Sequence, residues 1–428
     1  MQWASVTLQV VRGWTLDTGE HAVTPRERIL AALNFQPPDR LPKDLAGMRS
    51  TGVSAFTYQA LRNALDLPTK PTRIHDTGQM LALPHTDVLD ALGCDVVSVE
   101  GDGVTNAFEQ PERWHDYDFN GRIPHAQVQN PADYHVDADG TIHQGPDTTM
   151  PSGAHVFESE HGGQPLLLNG DLPRPDLKKT RKQLDDGQLK DDQIKSLRET
   201  CRRIRQSTDR AVFLWGPTNL GISIHGFGGL AVFPVLCLED PAYVHELHTL
   251  HLEYALKNVR ALIPEISDCV DIVSTDADDW GNQLSLMASP DTFHDLYLPY
   301  RQKHNAEIHR LAPHLKTFLH SCGAIYEILD DILKSGTDIL NPVQWPAGDR
   351  SAEQWKDKAR GKMTLWGGGV NAQHTLPGGT LEQIADDVRQ SVAVLAHDSG
   401  YVFANIHNLL AEIAPDRILT IYRTAAGI

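Results

Sequence analysis

The sequence predicts a (β/α)8 barrel on three observations. Short apolar strands recur along the chain, each ends in polar or glycine residues, and each is followed by a helix. The strands are read at DVVSV (95–99), AVFLW (211–215), DIVSTD (271–276), KTFLH (316–320), DILNPV (338–343), MTLWGG (363–368) and YVFANI (401–406). Seven or eight such units favour a closed parallel barrel over an open sheet. No G-x-G-x-x-G follows any strand, which counts against a dinucleotide-binding fold.

Residues 1–23 show neither a signal-peptide core nor a cleavage site and are read as an extension. Order begins at Thr24-Pro25-Arg26-Glu27, a capping box with proline at the first helical position. Its helix ends before Pro37-Pro38. The barrel domain is taken as 24–428, with an insertion at about 102–200 that breaks the alternation and partly covers the mouth. Within it YHVDADGTIHQG (134–145) reads as a hairpin turning at Asp139-Gly140, and 173–200 as charged, solvated helix plus linker. A helix runs from Asp240-Pro241 to about Ile263. A further one, 289–312, starts with Ser289 as N-cap and Pro290 at N1, and helices at 324–335 and 380–398 follow the next strands.

Bulk properties narrow the function. The chain has 428 residues and a formal net charge of −18, which argues against a nucleic-acid partner. No apolar run reaches about 18 residues, so no transmembrane helix or membrane partner is expected. Five cysteines, at 94, 201, 237, 269 and 322, form no disulfide framework and suit a reducing cytoplasm.

The chemistry is expected at the carboxyl ends of the strands. KTFLH runs directly into Ser321-Cys322-Gly323. Residues i and i+2 of a strand share a face, so His320 and Cys322 reach one point, and imidazole with thiolate suits zinc. His407, at the end of the last clear strand, reads either as a third ligand or as a hydrogen-bonding histidine of its loop. Asp278 and Asp279, beside Gln283, read as substrate-binding or proton-donating groups, as partners of a metal-bound histidine, or as helix caps. Asn341, Gln344 and Asn371 are uncharged amides able to orient a polar substrate. Trp215, Trp280, Trp345 and Trp366 fall near strand ends and read as rim packing or as an apolar mouth.

TPRERILAALNFQPPDRLP, DADDWGNQ, FLHSCGAIYEILDDILKSGTDILNPVQ, LWGGGVNAQHTLPGGT and YVFANIHN together resemble the uroporphyrinogen decarboxylase superfamily, over about 24–101 and 205–425. The resemblance implies a (β/α)8 barrel with a deep mouth, commonly dimeric, so a homodimer is an open expectation. One branch decarboxylates a polyanionic tetrapyrrole without metal, holding it with N-terminal arginines and an aspartate. Here the corresponding segment is Lys43 to Arg49 without paired arginines, and Asp87 loosely matches the aspartate. The other branch, the corrinoid-linked methyltransferases, carries His-x-Cys at a strand end and a third sulfur ligand near the last strand. His320 and Cys322 match that branch, whereas His407 stands where it has cysteine. The resemblance therefore implies a zinc methyltransferase moving a methyl group between a corrinoid, free or on a partner corrinoid protein, and a small thiol or methylated substrate. A metal-free decarboxylase and a non-catalytic barrel binding module remain the alternatives.

Overall fold

The computed structural model describes residues 22–158 and 172–427. Most of the extension read at 1–23 lies outside the described residues, as does 159–171 of the insertion. Seven parallel strands follow one another in chain order around one sheet: β1 (Val96–Glu100), β2 (Ala211–Trp215), β3 (Ile272–Ala277), β4 (Lys316–His320), β5 (Ile339–Asn341), β6 (Thr364–Trp366) and β7 (Tyr401–Val402). Each falls on an apolar run read from the sequence.

An irregular segment, residues 42–44, closes the ring. Phe403 N donates to Pro42 O (2.9 Å) and Asp44 N to Phe403 O (2.8 Å) on one side, and Asp95 N donates to Lys43 O (2.8 Å) on the other. The predicted (β/α)8 barrel is thus present, with its eighth strand reduced to a single bridge between Lys43 and Phe403.

Side chains alternate across the wall. Val96, Ala211, Phe213, Ile272, Phe318, Ile339, Trp366 and Val402 fill the interior. Val97, Val99, Leu319, Leu340 and Leu365 face the surrounding helices. Helix Pro25–Leu33 adds Ile29, Ala32 and Leu33 to the interior cluster. It sits at the amino end of the strands, because Arg28 Nη1 donates to Asp95 (2.7 Å) and Arg26 Nε to Asp271 (2.8 Å), the residues that precede β1 and β3. With that end plugged, the carboxyl ends form the mouth.

Two features depart from the sequence reading. The helix expected at 289–312 is broken into Pro290–Leu296 and Leu298–Leu311 at Tyr297. Pro299 offers no N–H to the preceding turn and its ring crowds the carbonyl four residues back. In the 102–200 region, His115–Asp116 and Ala126–Val128 extend a sheet that already contains Val53–Ser54, Thr72–Asp76 and Leu81–Ala82, so that sheet straddles the expected boundary at 102. Tyr134–Val136, Ile142–Gln144 and Thr148–Met150 make a separate three-stranded antiparallel sheet, with Gly140 at φ 86° in the first turn. Among the described residues no helix is long and apolar enough to cross a membrane.

Candidate metal centre at the barrel mouth

His320 is the last residue of β4 and shares the inward parity of Phe318. The loops after β3 and β4 lie against each other. Asp278 N donates to His320 O (2.9 Å), Gly281 N to Cys322 O (3.2 Å) and Ala324 N to Asn282 O (2.8 Å). A Cβ on Gly323, whose φ is 87°, would meet Gly281 O at 2.1 Å, so this backbone contact requires glycine. The zipper delivers Asp279 to Cys322: Cys322 N donates to Asp279 Oδ1 (2.9 Å), and the same oxygen lies 3.2 Å from His320 Nε2. One ligand atom from each of Asp279, His320 and Cys322 lies within 4.8 Å of the other two.

Asn341, at the end of β5, orients the imidazole. Its Nδ2 donates to Trp366 O (3.1 Å), which leaves Oδ1 facing His320 Nδ1 at 2.7 Å. Oδ1 only accepts, so Nδ1 carries a proton, and Nε2 faces the Asp279 carboxylate. A second proton on Nε2 would pair the imidazolium with Asp279 at 3.2 Å; without it two acceptors meet there, and a cation between them would relieve their repulsion.

Burial pushes the Cys322 thiol well above its ordinary range, and the Asp279 carboxylate pushes it further, so without a cation it stays protonated at neutral pH. Burial alone would raise Asp279, but the charge and hydrogen bond of His320, with the Cys322 N–H, hold it well below the usual carboxylate range. His407 packs edge-on against His320, ring centroids 5.5 Å apart, and is brought down to about 4 by burial and then by the His320 charge. It stands outside the three-residue cluster.

The other residues singled out in the sequence take different places. Asp278 turns away from Asp279. Its carboxylate accepts from Ile224 N (2.7 Å), Trp280 Nε1 (2.7 Å) and Arg301 Nη2 (2.7 Å), a buried brace beneath the loop. Gln344 Oε1 accepts from Gly323 N (2.7 Å) while its Nε2 donates to Gln283 Oε1 (3.1 Å), so this pair holds the turn after Cys322. Asn371 Oδ1 accepts from Gln373 N and His374 N (both 3.1 Å) and shapes the turn before helix Thr375–Gly378. Asp87 lies on helix Thr86–Leu92, where Arg62 grips both its oxygens (2.9 and 3.0 Å) and Lys70 approaches at 3.1 Å. It does not join the cluster. Trp280 and Trp366 are buried core residues.

A second polar corner was not found from the sequence. Glu100 ends β1 with the inward parity of Val96. Arg49 Nη2 lies 3.1 Å from Glu100, Arg49 Nη1 lies 3.5 Å from Asp76, and His75 Nδ1 lies 3.5 Å from Glu100. Glu100 falls one residue beyond the apolar run read as a strand, which was the available signal.

The family model described as uroporphyrinogen decarboxylase (URO-D) matches residues 149–427. No curated protein matches the sequence. Among solved structures, a methyltransferase from Methanosarcina mazei superposes with a TM-score of 0.54 at 14% identity, covering 94% of this chain and 98% of that one. Xylanase 10B from Thermotoga maritima aligns at a TM-score of 0.31 and 7% identity, covering 60% of this chain and 81% of that one. Xylanase B from Clostridium stercorarium F9 aligns at 0.33 and 10%, covering 51% and 73%. The first of these shares the barrel along nearly its whole length, and the family match spans well over half of this chain, from within the inserted region through the last helix. The chain therefore belongs to the uroporphyrinogen decarboxylase family.

Proposed function

We propose that this chain is a zinc-dependent methyltransferase, transferring a methyl group between a corrinoid carrier and a small thiol or methylated substrate. The observation that carries the proposal is the convergence of His320, Asp279 and Cys322, one ligand atom of each within 4.8 Å of the other two, at the end of β4. A nitrogen, a sulfur and a carboxylate oxygen suit zinc, and three protein ligands leave a position open for substrate. Zinc held there would supply Lewis acidity that keeps an incoming thiol as its thiolate. Asn341 holds His320 in the tautomer that presents Nε2, Gln344 and Gln283 hold the turn carrying Cys322, and His407 limits the space over the imidazole.

The opposite corner supports this reading over metal-free decarboxylation. Arg49 is matched by Glu100 and Asp76, so the corner brings no surplus positive charge to a polyanionic substrate. The likeness to the Methanosarcina mazei methyltransferase supports the fold on which the reading rests. The test is elemental analysis of purified protein beside His320→Ala and Cys322→Ser. About one zinc per chain more in wild type than in either variant is the expected result. Equal zinc content in wild type and both variants after zinc reconstitution would overturn the assignment.

A further inference from the structure

We propose a second metal site, separate from the barrel mouth, on the solvent face of the inserted hairpin: His135, Asp137 and His143 bind a first-row divalent transition ion. His135 and His143 stand directly opposite each other on the antiparallel strands Tyr134–Val136 and Ile142–Gln144. Their rings stack nearly parallel, centroids 4.3 Å apart and planes inclined by 9°. Both present Nε2 to one carboxylate: Asp137 Oδ2 is 2.7 Å from His143 Nε2, and Asp137 Oδ1 is 3.9 Å from His135 Nε2. One ligand atom from each residue lies within 4.8 Å of the other two.

The hairpin builds this convergence into its backbone. Asp137 N donates to Thr141 O (2.9 Å), Gly140 N to Asp137 O (3.0 Å) and Thr141 N to Asp139 Oδ1 (2.9 Å), so the turn places Asp137 just past the histidine pair. Strand alternation sends Tyr134, Ile142 and Met150 to the buried face and His135 and His143 to the other. Side-chain rotation in water is all that closure on an ion requires.

Two imidazoles and one carboxylate form a borderline-to-hard donor set. It suits zinc, nickel, copper(II) or iron(II), whereas magnesium and calcium prefer oxygen alone. His135 and Asp137 are more than half exposed, so the remaining positions belong to water or to a donor from outside. A bound ion would tie the two strands together on the face opposite the aromatic packing of Tyr134 with Tyr117, Phe119 and Phe157. Gln144, next to His143, donates to Thr77, and Phe157 N donates to Gly78 O (2.9 Å). Those residues follow Asp76, so an ion at the hairpin would also stiffen the support of the mouth's Arg49 corner.

The test uses tag-free, full-length protein that already carries His320→Ala and Cys322→Ser, dialysed against zinc and analysed for metal. The expected result is one zinc per chain, lost when His135→Ala and His143→Ala are added. Copper(II) in place of zinc should give an electron paramagnetic resonance signal with nitrogen splittings, absent from the same His135→Ala, His143→Ala protein. Circular dichroism checks that the four-substitution protein keeps its fold. Absence of zinc from the mouth variant, or retention of zinc after both hairpin substitutions, overturns the proposal. Failure of the mouth assignment would look different: wild-type protein and the mouth variant would then both bind one zinc.

Discussion

The two corners of the barrel mouth hold similar residue types and behave differently. At the end of β1, Glu100 and Asp76 face Arg49, and His75 lies against Glu100. At the end of β4, Asp279 faces His320 and Cys322. The first corner has its counter-charge built in, so its ions satisfy one another. In the second, Asn341 has already taken the Nδ1 proton, and Asp279 is balanced only by a second proton on His320 or by a bound cation. The contrast teaches that a polar cluster signals a ligand when its own hydrogen bonds cannot balance it, not merely because it is charged.

The sharpest way to break this comparison is Asp279→Asn. An amide there could donate to His320 Nε2 and satisfy the corner without an ion. Zinc affinity should fall by more than about 100-fold, or roughly 2.7 kcal/mol, as measured by competition with a chromophoric chelator. His407→Gln should keep the wild-type zinc content, and loss of one zinc in that variant would make His407 the ligand. Next in size is Asn341→Ala, which frees the imidazole tautomer. Residues that orient a metal-binding histidine are worth about 10- to 100-fold in metal affinity, so a fall in that range is expected in the same assay.

The other corner should respond in stability, not in metal content. Arg49→Met leaves Glu100 and Asp76 without their cation. Breaking a fully buried pair costs about 3–5 kcal/mol, but Arg49 is over a third exposed, so about 1–2 kcal/mol is expected from urea unfolding. Zinc content should not change. The smallest effect is in pH. Burial would raise Glu100, but the His75 hydrogen bond and the charges of His75 and Arg49 hold it below its ordinary 4.5. Below that pH the unfolded chain takes up the proton first, so this contribution is present at neutral pH and is lost as pH falls. The slope of unfolding free energy against pH below 4.5 should therefore be shallower in Arg49→Met than in wild type.

The legibility of the site follows the reach of simple periodicity. His320 and Cys322 could be paired from strand parity, because β4 is regular up to His320. Which of Asp278 and Asp279 joins them could not be read, because the β3–β4 register shifts between Ser274 and Asp276 and the loop then turns. Asn341 was legible as a polar strand end, whereas its bond to His320 depends on the β4–β5 pairing of those two residues. The barrel itself was legible from seven apolar runs. Its eighth wall was not, since residues 42–44 carry a proline and two charged side chains where a strand would show alternation. The Arg49 corner depends on contacts between residues tens of positions apart and leaves no local pattern.

That eighth wall has a consequence for how the chain comes to its structure. Lys43 bridges Phe403, Val53 bridges Leu409, and Gly52 N donates to Asn408 Oδ1 across 356 positions. During synthesis the segment that closes the ring must wait until Phe403 and Asn408 have left the ribosome. Contacts of such sequence separation form slowly. Until then the interior lacks one wall, and the apolar inner faces of the early strands stay open to water and to other chains.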